Sequence, residues 1–116
     1  ENSAVRWGTN GAQKSGNGGL MTTVFLEFKA KPGLGNGLVE KLKEILPDTR
    51  SYDGNQSVDV YQQADDPDTC IIHGQWDSQG HWEKYMAWRE ETGVLSAFVE
   101  ALEGPPSHRF FNKTDA

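Results

Sequence analysis

The stretch from Cys70 to Trp88 constrains this chain more than any other, because a two-residue alternation runs within it directly into a helical repeat. Cys70, Ile72, Gly74 and Trp76 fall on one face of the predicted strand, and Ile71, His73 and Gln75 on the other. Ser78 then supplies the short polar side chain of an N-cap, after which Trp82, Tyr85, Met86 and Arg89 recur at helical spacing on one side. Three of the four tryptophans, a tyrosine and two histidines thus share one strand-to-helix corner. If the helix folds back over the strand, Trp76 and the Trp82 face line a single apolar pocket.

The flanking sequence supplies the rest of a small α+β domain. Residues 1–20, rich in Gly, Asn and Ser, have no sustained apolar periodicity and read as a flexible N-terminal arm or an added leader. The domain is expected over residues 21–113, with Thr22 to Ala30 as its first strand and Lys31-Pro32-Gly33 as the terminator. Leu38, Leu42, Ile45 and Leu46 make one apolar helical stripe, for which Asn36 is the expected cap and Pro47 the expected end or kink. Asp53-Gly54-Asn55 signals a turn into a strand from Gln56 to Gln63, and Asp65-Asp66-Pro67-Asp68 a solvated turn into the strand ending at Trp76. Beyond Thr92-Gly93, residues Leu95, Phe98, Val99 and Leu102 predict a further helix, stopped by Gly104-Pro105-Pro106 before a last strand from His108 to Asn112. The order strand, helix, strand, strand, two helices, strand is that of a ferredoxin-like split βαβ sandwich with an antiparallel sheet.

Composition excludes several functions. With 11 basic against 17 acidic residues the net charge is −6, and the first twenty residues carry Arg6 and Lys14 against Glu1, which leaves −7 on the domain. Nucleic acid and anionic membrane surfaces are therefore not expected partners, since both are bound by clustered Lys and Arg. Apolar runs of a few residues fall far short of the ~20 that span a bilayer, and no secretory leader opens the chain, so a soluble, cytoplasmic protein is expected. The single cysteine, Cys70, precludes an internal disulfide and a multi-Cys zinc site. His73, His81 and His108 have no metal-ligand spacing, and Gly33-Leu34-Gly35-Asn36-Gly37 lacks the Lys-Ser/Thr of a phosphate loop. No metal and no cofactor are expected.

Four motifs occur in order: Phe28-Lys29-Ala30-Lys31-Pro32-Gly33 after the first strand, Asp65-Asp66-Pro67-Asp68-Thr69, Gln75-Trp76-Asp77-Ser78 at the corner, and Gly104-Pro105-Pro106 before the last strand. On these the chain from Met21 to about Asn112 resembles the antibiotic biosynthesis monooxygenase family. The resemblance implies ferredoxin-like protomers that pair into a dimeric α/β barrel. The corner and the Gly-Pro-Pro exit are similar to those of small monooxygenases that oxidise polycyclic phenols to quinones without metal or cofactor, in which a strand tryptophan and a phenol six residues later line the cavity. Trp76 matches the tryptophan, and Trp82 stands at the second position without a phenol. The strand asparagine of those enzymes is Ile72 here, and at their helix arginine stand Leu95 and Ser96. The family's haem-degrading branch is not implied: its strand asparagine is Leu26, its helix aromatic Tyr85, and no histidine lies from Gly93 to Leu95.

Two functional readings follow. In the first, the chain is a cofactor-independent monooxygenase acting with dioxygen on a small or polycyclic aromatic of the phenol or quinol type. Trp76, Trp82, Met86 and Ile72 hold the ring system, and Tyr85 or His73 manages the proton, His73 being the strand residue whose side-chain type exchanges protons near neutral pH. In the second, a non-catalytic small-molecule-binding or stress-related module keeps the fold without the proton-handling residues. Each aromatic also has a packing role, since truncating a buried Trp costs about 3–5 kcal/mol. Cys70 is simplest as a small apolar filler. A sheet with helices on one face only and apolar groups such as Phe25 and Ile71 on the other is expected to dimerise through that face.

Overall fold

The structure, a computed structural model, describes residues 21–116; the expected arm over residues 1–20 lies outside them. Strand β1 (Thr22–Lys29) leads to helix α1 (Gly35–Arg50), strands β2 (Asn55–Gln63) and β3 (Asp66–Trp76), helices α2 (Gln79–Thr92) and α3 (Val94–Glu100), and strand β4 (Ser107–Phe111). The sheet order is β2-β3-β1-β4, with every neighbouring pair antiparallel. Two crossovers, through α1 and through α2 with α3, each skip one strand and put all three helices on one face, the expected ferredoxin-like α+β fold. Among the described residues no helix is long and apolar enough to cross a membrane.

Register sorts the side chains. Val24 pairs with Gly74, Leu26 with Ile72 and Phe28 with Cys70 on the helix-covered face. The opposite face carries Phe25, paired with His73, and Glu27, paired with Ile71. Beneath the helices the core has two lobes. Phe28, Leu38, Leu42, Leu46, Cys70 and Phe98 belong to one, and Val24, Trp76, Trp82, Tyr85, Met86 and Leu95 form the other.

Three local expectations are corrected. Asn36 is not the cap of α1: the helix begins at Gly35, and the cap position, Leu34, makes no side-chain bond. Instead the Asp68 carboxylate accepts from the backbone N–H groups of Gly33 (3.1 Å) and Gly35 (2.8 Å), placing negative charge at the helix N-terminus where the backbone dipole favours it. Pro47 does not end α1, which runs three residues further. Its ring is on the exposed side, and the buried Leu46 and Thr49 hold the last turn against the sheet. The acidic run is not a solvated turn: Ala64 and Asp65 make the turn, while Asp66 and Asp68 already belong to β3. Asp66 bonds Lys29 (2.8 Å) and Thr69 (2.7 Å), and the Lys29 ammonium holds its carboxyl below the ordinary range.

Candidate functional site

The seam between the two core lobes is an apolar cleft of about 80 Å³. Its floor is the sheet, where Trp76 leaves the end of β3 and lies back across Gly74. A Cβ at Gly74 would stand 3.1 Å from the indole Nε1, so the glycine makes room for the ring. The roof is α2, started by Ser78, whose hydroxyl accepts from the His81 N–H at 3.2 Å as the sequence predicts. From this start the 3.6-residue period points Trp82, Tyr85, Met86 and Arg89 at the sheet, and all four are buried. Trp82, Met86 and Ile72 line the cleft together with Trp76 and Tyr85. The rings are in mutual contact: Trp76 to Tyr85 is 4.9 Å, Tyr52 to Tyr85 5.3 Å and Trp82 to Phe110 4.9 Å between centroids.

One end of the cleft is polar. Arg89, only 4% exposed, donates from Nε to Tyr85 Oη (2.8 Å) and from Nη2 to Thr49 Oγ1 (2.9 Å) and the Ile45 carbonyl (2.7 Å). Thr49 and Tyr85 share a further hydrogen bond of 2.5 Å between their hydroxyls. The guanidinium also lies over the Trp88 ring at 4.7 Å. Among the described residues no carboxylate forms a salt bridge with Arg89. A second concavity, about 460 Å³, lies outside, between α1 and the α2–α3 corner; Lys41 lines it, and Ile45, Val94 and Phe98 border both spaces.

Five of the six residues singled out from sequence, Tyr85, Trp76, Trp82, Met86 and Ile72, therefore meet at one cleft. His73 does not join them: it lies on the other face of the sheet, stacked on Phe25 at 4.8 Å. His81 is held by Ser78 Oγ (2.8 Å) beside the exposed Asp53, and His108 lies tilted against Trp82 at 5.5 Å, where burial lowers its pKa. Cys70 is fully buried, and burial followed by the charges of Asp68 and Asp66 raises its thiol pKa, the opposite of what a thiolate nucleophile needs. Among the described residues no group of three His, Cys, Asp or Glu could hold a metal ion. Sequence reasoning missed Thr49 and the role of Arg89. The signal for Arg89 was present, a lone cation on an otherwise apolar helical stripe; Thr49 lies beyond the proline at which the helix was expected to end.

The antibiotic biosynthesis monooxygenase family model matches residues 21–102. No curated protein matches the chain significantly. Among solved structures, a conserved protein from Methanosarcina mazei Go1 superimposes with a TM-score of 0.74 at 16% identity, over 84% of this chain and 96% of that one. Rv0793 from Mycobacterium tuberculosis follows with 0.72 at 20% identity, over 83% and 97%. A monooxygenase from the gene ActVA-Orf6 of Streptomyces coelicolor, in complex with the ligand nanaomycin D, gives 0.71 at 20% identity, over 84% and 90%. At these identities the likeness speaks for the fold alone. The family match covers most of the chain, ends at the Leu102 that seals the first lobe, and contains every residue of the cleft described above: the chain belongs to the antibiotic biosynthesis monooxygenase family.

Proposed function

We propose that this protein is a monooxygenase that oxidises a small aromatic phenol or quinol with dioxygen, without metal or organic cofactor, in the cleft between Trp76 and α2. The observation that carries the reading is a polar cluster, Tyr85, Thr49 and Arg89, at one end of an otherwise apolar, aromatic-walled cleft. Trp76 and Trp82 hold the ring system, with Ile72 and Met86 as apolar walls. Tyr85 Oη, fixed by two hydrogen bonds, passes the proton at the substrate hydroxyl. The reaction balances without a co-reductant. Once deprotonated, an electron-rich phenol gives electrons to dioxygen at its para carbon; the C–H bond there is replaced by C=O, one oxygen atom enters the quinone, and the other leaves as water with the ring and hydroxyl hydrogens. In a quinol, whose para carbon already bears oxygen, another ring C–H becomes C–OH, and the two original hydroxyl hydrogens leave with the second oxygen atom as water, which gives a hydroxyquinone. The protein's contribution is to exclude water, orient the ring and stabilise the anion.

Ligand pockets usually measure ~300–1,000 Å³, so the cleft of about 80 Å³ must widen to admit a ring. Ile45, Val94 and Phe98 are the wall to displace, because beyond them lies the outer concavity of about 460 Å³. Gly93, at φ +84°, sits at the α2–α3 corner where such a displacement would turn. The narrowness of the cleft favours a second reading, a binding module without turnover. Oxygen consumption with anthrone and hydroquinone substrates separates the two. Turnover that falls at least tenfold in Tyr85→Phe supports the enzyme, and no turnover across a broad phenol panel supports the module.

We further assign residues 21–113 as the functional unit, acting as a homodimer. Its contact is the sheet face away from the described helices, where Phe25 packs on Phe111 (5.4 Å) and His73, and where Tyr61 and Phe111 are 57% and 46% exposed.

A further inference from the structure

We infer that the cleft selects ligands that carry a negatively charged oxygen on an aromatic body, a carboxylate or an ionised acidic phenol, and that Arg89 is the residue that makes this selection. The inference rests on reading the cleft as a ligand site and goes beyond it to the charge of the ligand.

Donors and acceptors at the polar end do not balance. Arg89 spends its Nε and Nη2 groups on Tyr85, Thr49 and the Ile45 carbonyl, and among the described residues Nη1, with two N–H groups, makes no hydrogen bond. Tyr85 Oη and Thr49 Oγ1 both accept from the guanidinium and share one proton between them. Each hydroxyl owns one hydrogen, so one of the two lacks an acceptor whichever way the shared bond points. Arg89, Tyr85 and Thr49 all line the cleft, so the cluster offers a cation with a spare N–H pair and a spare O–H there, with no acceptor among the described residues.

Charge is unbalanced in the same direction. Buried ionised groups are ordinarily paired with an opposite charge, and Arg89 at 4% exposure has no carboxylate partner among the described residues. The Ile45 carbonyl, two hydroxyls and the faces of Trp88 and Tyr85 surround it, and these supply only partial charges. An oxyanion completes both balances at once. The apolar walls formed by Trp76, Met86 and Leu95 suit an aromatic remainder, and Lys41 lines the outer concavity through which such a ligand would pass. On a domain whose net charge is acidic, Arg89, buried and lining the cleft, is the feature that draws an anion in.

The test is calorimetric titration of the full chain with benzoate and with its neutral counterpart, benzyl alcohol. A charge-assisted hydrogen bond in a buried site predicts roughly 10- to 100-fold tighter binding of benzoate. In Arg89→Gln the two ligands should bind alike, and Arg89→Lys should restore part of the preference. Should the variants not fold, the Arg89 Nε–H resonance of the wild-type protein gives the answer: it should shift on titration with benzoate and not with benzyl alcohol. Equal affinities, a preference unchanged in Arg89→Gln, an unmoved resonance or no saturable benzoate binding in the millimolar range each overturns the inference. Chloride that competes as tightly as benzoate binds reduces the site to one for simple anions and overturns the aromatic class. Because binding is read without turnover, benzoate preference with no oxygen consumption defeats the proposed oxidation alone, whereas oxygen consumption without charge preference defeats this inference alone.

Discussion

Thr49→Val tests whether the buried polar cluster holds α1 to α2 as the geometry implies. Thr49 is 2% exposed, and valine has nearly its shape, so the substitution removes a hydroxyl without opening a cavity. Two bonds go with it, one from the Arg89 guanidinium at 2.9 Å and one with Tyr85. A hydrogen bond to a charged group is worth ~1.5–3 kcal/mol and a neutral one about 1; burying the new methyl group returns about 0.8. Arg89 keeps the Ile45 carbonyl and Tyr85 keeps Arg89, so neither partner is stripped bare. The net expectation is a loss of roughly 2–3 kcal/mol, a large share of the ~5–15 kcal/mol of a typical domain. For a domain of this size that lowers Tm by roughly 8–24 °C. Urea unfolding followed by far-UV circular dichroism gives the number, run at one protein concentration because association shifts apparent stability. Thr49→Ser, which keeps the hydroxyl, is the control. If Thr49→Val loses less than about 0.5 kcal/mol, the scale of an ordinary surface change, or no more than Thr49→Ser, the cluster does not fasten the two helices.

Gly35→Ala should destabilise by about 1–3 kcal/mol as overpacking, since its Cβ would collide with the Pro67 carbonyl oxygen; Gly37→Ala, with open space around it, should instead gain up to ~1 kcal/mol of helix propensity, and chemical denaturation of the pair checks both signs. Burial lowers the His108 pKa, so the unfolded chain takes up this proton first as pH falls. Stability should therefore decline from about pH 6.5 downward through the lower folded value, and unfolding curves of His108→Phe should lack that part of the decline. Sedimentation velocity at micromolar concentration should show a dimer for the wild-type protein and a monomer for Phe25→Glu, whose carboxylate would sit on the sheet face opposite the helices; a wild-type monomer refutes the assigned interface.

What could be read from the residues was what depends on neighbours in sequence. The alternation from Cys70 to Trp76, the Ser78 cap and the stripe from Trp82 to Arg89 are each decided within a few residues, and the structure keeps all three. Asn36 failed as a cap because the partner that won, Asp68, lies on a strand far along the chain. Pro47 misled because a proline near a helix end removes a single backbone bond, and the burial of Leu46 and Thr49, a tertiary property, outweighs it. One of the three members of the polar cluster was hidden for that reason: Thr49 becomes visible only when α1 is allowed to continue, and its meeting with Arg89 spans two helices. The sheet face of His73 was legible from alternation alone, whereas its stacking on Phe25 required the pairing register.

The aromatic packing around Tyr85 makes the cleft its own optical probe. Tyr52 and Trp76 lie 6.5 Å apart, Tyr52 and Trp88 5.2 Å, and Tyr85 and Trp88 6.1 Å, all in fixed tilted or edge-on orientations. Rings this close and this asymmetric couple their electronic transitions, so the near-ultraviolet dichroism of the folded protein reports their mutual angles. An occupant that parts Trp76 from Tyr85 has to change that coupling, and light absorbed by the tyrosines will reach the tryptophans with altered efficiency. Opening of the seam can therefore be timed by stopped-flow on the unlabelled protein, with a ligand that is never turned over.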